Sequence, residues 1–343
     1  MEVTKLKEYI SNNNKIEYIL EEIGCKHIVN RGHYIQCGNY DGDRRNAIVV
    51  YCDEMLTCEN YTRDIVGNKN SSDLIDLVMY NKKLPFFKAI KYLCDILGID
   101  YYEMQNDDDL PESLKITQML LEMKSGDYDE DDSKPLKPIS EKILTYYKPY
   151  CNVLFKADNI SYKIQKLFEV GYDDESNRIT IPIRDEIGNL VGVKGRYFGD
   201  GCDNKYLYLE KCARSKILFG LDKAYKYIKE SGFVYAVESE KAVMQLWNMG
   251  YRNVVSTGGK KISKKQKDKL ASLGVRIVLA FDKDVTIDEL KSIADSFPIG
   301  ISISCIIDEK GILDEKESPS DNHEKWEVLV KTEKELRVYW YIN

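Results

Sequence analysis

Between Phe233 and Asp284 three apolar, β-branched runs alternate with two segments of helical period. The pattern predicts strand 233–239, helix 240–249, strand 253–257, helix 263–272 and strand 276–282, with a further strand at 300–307. Strands this uniformly apolar belong to a parallel sheet covered on both faces. Upstream the period changes to two. Arg178-Ile-Thr-Ile-Pro-Ile-Arg-Asp185 and Leu190-Val-Gly-Val-Lys-Gly-Arg196 alternate like paired strands around a Glu186-Ile-Gly-Asn189 turn. Near the N-terminus, residues 15–24 read as a short amphipathic helix, and 47–51 and 55–58 as short strands after the Asp41-Gly42 turn. Ser72-Asp73 then supplies a cap for a helix with Leu74, Leu77 and Val78 on its apolar stripe. Residues 105–140 begin and end in acidic, Pro-containing sequence poor in apolar residues, which marks a boundary; within them 111–124 could form one helix. The segments that follow are 1–104, a linker 105–140, a basic strand-rich part 141–230, an α/β part 231–325 and a tail 326–343. The class is α/β in its largest part and α+β overall.

Composition narrows the picture only slightly. The chain has 343 residues, 43% hydrophobic and 31% charged, which suits one to three folded domains. No apolar run is long enough to span a bilayer, and Met1-Glu-Val-Thr-Lys-Leu-Lys does not read as a signal peptide, so no membrane partner is expected. Nine cysteines scattered without a secretory signal point to reduced thiols and a cytoplasmic setting. The net charge of −7 argues against a uniformly basic nucleic-acid binder, but local patches outweigh the sum. No Walker A pattern occurs, so no helicase motor is expected in these residues.

Candidate chemistry collects where a parallel sheet places it, at the carboxyl ends of the strands. Those ends carry Glu238 and Glu240, the pair Gly258-Gly259 with Lys260 and Lys261 beyond it, and Asp282 with Asp284. Carboxylates from separate strand ends are hard oxygen donors suited to Mg²⁺. Asp321, and more weakly Glu317, add acidic groups farther on. Competing structural roles are a plain turn for the glycines, a helix cap for Asp284 and core packing for Tyr197, Tyr206 and Tyr208. Arg44 and Arg45 beside the first turn could touch a template or be solvated charge.

The ordered set strand-V-E-S-E, helix, strand-Gly-Gly, strand-D-K-D resembles a TOPRIM domain, the metal-binding module of bacterial-type primases, type IA and II topoisomerases and some nucleases. The preceding N-R-I-T-I-P-I-R-D, G-N-L-V-G-V-K-G-R and K-x-x-L-F-G segments are similar to the N-terminal subdomain of the primase core. Residues 1–104 resemble the small zinc-ribbon-like domain before that core. The resemblance implies Mg²⁺ (or Mn²⁺) held by Glu238, Asp282 and Asp284, with Asp321 and Glu240 as further ligands, and two-metal-type nucleotidyl transfer. It implies that Arg178, Arg196, Lys205 and Lys216, with Lys194 as an extra candidate and Gly258, Gly259 and Lys260 beside them, position template and nucleotide. The partners it implies are single-stranded DNA, ribonucleoside triphosphates and a separate replicative helicase, for an enzyme encoded by a phage and working in the bacterial cytoplasm. Two departures stand out. The family's zinc ligands C-x-x-H and C-x-x-C read here Cys37-Gly-Asn-Tyr40 and Cys58-Glu-Asn-Tyr61, leaving Zn²⁺ with Cys37 and Cys58 unless Cys25, His27, His33 or Cys52 complete a site. A further acid of the family falls on Ala242. A catalytically weak DNA-binding or helicase-accessory factor, or a TOPRIM nuclease or topoisomerase, is the alternative.

Overall fold

The computed structural model describes residues 3–42, 44–65, 72–102, 136–199, 205–314 and 317–337. The helix expected at 111–124 lies outside them. The chain divides into two compact units, Met1–Leu110 and Pro111–Asn343.

The first unit is a five-stranded antiparallel meander with helices at both ends of its sequence. Helices α1 (Val3–Asn12) and α2 (Ile16–Glu22) lead into β1 (Lys26–Asn30), β2 (Tyr34–Gly38), β3 (Ile48–Tyr51), β4 (Thr57–Asn60) and the short β5 (Ser72–Asp73), paired in that order. Helices α3 (Leu74–Lys82) and α4 (Phe86–Leu97) follow. The start of α3 is set locally: the Asp73 carboxylate accepts the Asp76 N–H at 2.9 Å and Asp76 accepts the Asp73 N–H at 3.2 Å. This reciprocal box satisfies donors that the first turn leaves free. Leu74, Leu77, Val78, Phe87, Ile90 and Leu93 are buried from the two helices, with Ile35, Ile48 and Val50 buried from the sheet.

The second unit begins with a 3-10 turn at Glu141–Tyr146, then β6 (Lys148–Pro149), α5 (Val153–Ala157), α6 (Tyr162–Leu167), β7 (Gly171–Asp173), β8 (Arg178–Arg184), β9 (Leu190–Tyr197) and β10 (Tyr206–Glu210). These strands form one antiparallel sheet in the order β10-β9-β8-β7-β6. After α7 (Leu221–Ser231) comes the α/β part: β11 (Phe233–Val237), α8 (Glu240–Asn248), β12 (Val254–Ser256), α9 (Lys264–Ser272), β13 (Arg276–Leu279), α10 (Ile287–Asp295), β14 (Ile303–Cys305), α11 (His323–Leu329) and β15 (Lys334–Arg337). Its sheet runs β12-β11-β13-β14-β15, parallel except for the antiparallel edge strand β15. Val234, Ala236, Val254, Val255, Ile277, Val278 and Leu279 are all buried, as strands with helices on both faces require.

The two sheets of this unit are joined by an ion pair sealed from water. Glu186, in the β8–β9 turn, meets Lys269 of α9 at 2.6 Å, with side chains 1% and 2% exposed. Removing one partner of such a pair strands a buried charge. Gln266 adds neutral bonds nearby, donating to the carbonyls of Ile217 and Thr257 at 2.8 and 2.7 Å.

Candidate metal and phosphate site

In the N-terminal unit the departures from the family's zinc ligands favour buried cysteines in a fold that stands without metal, with Cys37 and Cys58 as the doubtful zinc positions. Cys37 and Cys58 are buried, but Tyr40 and Tyr61, which follow three residues behind each, are exposed. Cys25 lies beside Cys37 and hydrogen-bonds it, whereas His27, His33 and Cys52 are exposed. Burial raises the Cys58 thiol, the Cys25 bond followed by burial raises Cys37, and the same bond lowers Cys25. Among the described residues no three His, Cys, Asp or Glu side chains gather to hold a metal.

A polar clasp joins the two turns instead. Asn60 donates to the Asn39 side-chain oxygen at 2.9 Å, and Asn39 donates to Thr62 Oγ1 at 2.9 Å. Asn60 Oδ1 accepts the N–H groups of Thr62 and Arg63, each at 3.1 Å. Arg63 then reaches back across the clasp to Asp41, its Nη2 lying 2.7 and 2.6 Å from the two carboxylate oxygens. Gly38 permits the close approach: a Cβ there would lie 2.6 Å from the Arg44 carbonyl oxygen.

In the second unit, adjacent strands β11 and β13 bring Glu238 and Asp282 together. The Asp282 N–H donates to Glu238 Oε1 at 3.0 Å. Burial raises the Glu238 carboxyl to about 7, with the Asp282 and Asp284 charges adding to the rise and the Asp282 N–H opposing it. Asp282 is raised as well, first by burial and then by Asp284 and Asp321, against a hydrogen bond from Ser318. Burial and nearby like charge both disfavour the ionised form of these carboxyls, and a cation would offset both. Hard oxygens from neighbouring strand ends fit Mg²⁺ in kind, although no three of them converge at ligation distance among the described residues. Asp284 is exposed and pairs with Lys260. It does not cap α10, since Thr286 does that in a capping box with Glu289.

The glycine pair sits beside this cluster. Ser256 Oγ donates to the Glu238 carbonyl at 2.9 Å and accepts the Gly258 N–H at 3.0 Å. Gly258 has φ +77°, a conformation that penalises any side chain. Thr257 Oγ1 donates to the Gly259 carbonyl at 2.8 Å, which fixes the turn.

Several residues expected to face ligand have other partners. Glu240 was expected to bind metal, but it is buried and receives Lys194 Nζ at 2.9 and 2.7 Å. Lys194 was expected to meet phosphate and is itself held there, 5.0 Å from the Tyr206 ring centroid and 5.9 Å from that of Tyr208. The cause is register: β9 pairs with β10 so that Lys194 faces Tyr208, and its stem points at the start of α8. Asp321 accepts Lys241 and Gln245 at 2.8 Å each, and those bonds outweigh its burial to hold its carboxyl below the ordinary range. Glu317 accepts from Lys325 and from the Asp314 N–H. Arg178 is buried and donates to the Lys205 carbonyl at 3.1 Å, and Lys216 is buried in a 3-10 turn. Arg196 is buried against Asp158 at 3.0 Å. Lys205 and Lys260 are exposed. Lys241 and Asp158 are members of this polar network that sequence reading did not single out.

No protein-family model matches the chain. In sequence it is similar to the DNA primase of Lactococcus lactis, 27% identical over 252 residues, covering 64% of this chain and 39% of that protein. It is 25% identical over 277 residues to the DNA primase of Borreliella burgdorferi, covering 70% of this chain and 53% of that one. An SPbeta prophage-derived uncharacterized protein of Bacillus subtilis is 28% identical over 233 residues, covering 59% of this chain and 62% of its own length. The chain therefore spans between about two-fifths and three-fifths of these relatives. Among solved structures, the zinc-binding and RNA polymerase domains of the Aquifex aeolicus primase match with a TM-score of 0.50 and 18% identity, over 96% of this chain and 86% of that one. In sequence the chain is similar to bacterial DNA primases, and its fold is similar to that of the zinc-binding and RNA polymerase domains of one of them.

Proposed function

We propose that this chain synthesises short RNA primers on single-stranded DNA by Mg²⁺-dependent nucleotidyl transfer. The observation that carries the reading is the junction of Glu238 with Asp282 at neighbouring parallel-strand ends, where two carboxyls with raised pKa values await a cation. Glu238, Asp282 and Asp284 would hold the ion. Bound there, Mg²⁺ would acidify the attacking 3′-hydroxyl and offset charge on the α-phosphate and departing pyrophosphate. Glu238, titrating at about 7, can accept or return a proton at neutral pH. Lys205 is an exposed cation that phosphate could reach, and Lys260 is exposed beside its Asp284 partner. Arg196 and Arg178 act through the strands they brace. Mn²⁺ could replace Mg²⁺, and a separate helicase would deliver the template. Similarity to a prophage-derived protein supports a phage origin and work in the host cytoplasm.

The test is primer synthesis on single-stranded DNA with labelled ribonucleotides and Mg²⁺, comparing wild type with Asp282→Ala. Short products that vanish in the variant support the reading. Wild type that stays silent even with a replicative helicase added would favour the accessory-factor alternative, which the lysine-paired Glu240 and Asp321 motivate.

A further inference from the structure

We propose that Lys241 is a built-in cation of the acidic cluster, standing in for a second divalent ion, so that the site takes one metal ion per chain. The inference rests on the metal-dependent reading above and concerns how that site is filled.

Asp321 is committed on both oxygens. Its Oδ1 receives Lys241 Nζ and Gln245 Nε2, each at 2.8 Å, and its Oδ2 receives the Ser318 N–H at 2.9 Å. Its main-chain carbonyl receives the Asn159 side chain at 2.9 Å, and Ser320 Oγ secures the other end of Gln245 at 2.9 Å. Two segments distant in sequence, Asn159 and the helix carrying Lys241 and Gln245, thus converge with the loop of Asp321 to fix one carboxylate around an ammonium rather than leave its oxygens open to a metal. Lys241 occupies the first turn of α8, where the helix dipole disfavours a cation. Its position is maintained by carboxylates: Asp321 at 2.8 Å, Asp158 at 3.9 Å, and the field of Asp282 beyond. Asp158 in turn holds Arg196 at 3.0 Å, so charges alternate from Asp321 through Lys241 and Asp158 to Arg196. On the other side, Lys194 closes Glu240 in the same manner. Glu238 and Asp282 remain as half-buried carboxylates for a bound ion, with the exposed Asp284 shared between such an ion and Lys260, a set matched to one.

Manganese titration followed by electron paramagnetic resonance reads the stoichiometry without needing activity. The expected result is one Mn²⁺ per wild-type chain and two for Lys241→Met, which removes the ammonium but keeps much of the stem, with Lys241→Arg retaining one. Asp321→Asn should leave the wild-type Mn²⁺ affinity within about threefold, since a lost ligand costs tenfold or more. Circular dichroism of each variant checks folding, and the wild-type count and the Asp321→Asn affinity stand even if Lys241→Met does not fold. Two ions on wild type, an unchanged count in folded Lys241→Met, or a tenfold loss in Asp321→Asn would overturn the inference while sparing the proposed function. No ion on wild type would overturn both.

Discussion

At the turns after β2 and β4, two amides, a threonine and an Arg–Asp pair satisfy one another. At the ends of β11 and β13, burial first and neighbouring acids second raise the half-buried carboxyls of Glu238 and Asp282. The two regions balance their polar groups differently. Around Asn39 and Asn60 the polar groups find neutral partners, and nothing is left for an ion to neutralise. Around Glu238, lysines have been recruited to Glu240 and Asp321 while the central carboxylates keep their charge deficit. Whether a site still needs metal is decided by what remains unpaired after the protein's own groups have been counted.

The comparison is broken most severely at the acidic end. Asp282→Ala should lower primer synthesis by about 10³-fold or more, in the range expected when a transition-state stabilising group is lost. Ribonucleotide incorporation measures it. At the other end, Asn60→Ala removes one side of a buried amide pair and should cost about 1–3 kcal/mol, read from urea unfolding of the N-terminal unit's signal. A mere surface role for Asn60 predicts a change within about 0.5 kcal/mol.

Metal addition sharpens the contrast. Mg²⁺ at a hundred times its dissociation constant should stabilise the catalytic unit by about 2.7 kcal/mol, and a chelator should reverse this. The same chelator should leave the N-terminal unit's unfolding unchanged; a destabilised N-terminal unit would contradict the clasp.

The smallest effect concerns pH. The folded value of Glu238, about 7, lies above the ordinary 4.5, so the folded state holds its proton more tightly than the unfolded chain does. Its favourable contribution is complete below the ordinary value and is lost as pH rises through 7. Metal-free Glu238→Gln should therefore melt higher than wild type at pH 8, by about 2–4 °C, the shift that ~1 kcal/mol gives in a domain of this size. Near pH 4.5 the difference should shrink. The group is only half-buried, so solvent screens much of the penalty. A constant difference across that range would rule the linkage out.

The βαβ alternation was legible because strands covered on both faces are uniformly apolar, and no other element type here combines that run length with such turns. The Glu238–Asp282 junction follows from it, since neighbouring strand ends in a parallel sheet must meet. Helix α1 and the short antiparallel edge strand β15 carry weaker signals. The ion pairs could not be read, because Lys194 and Glu240 are 46 residues apart, and Lys241 and Asp321 are 80 apart, with no local pattern joining them. A signal for the clasp did exist. Cys-Gly-Asn-Tyr and Cys-Glu-Asn-Tyr repeat an asparagine at one spacing.

The most direct test of the central contrast is the metal content of the purified chain by native mass spectrometry, after exposure to Zn²⁺ and Mn²⁺ and desalting. The account predicts no retained zinc, together with bound manganese that disappears in Asp282→Ala. Stoichiometric zinc lost in Cys37→Ser, or manganese retained without Asp282, would contradict it.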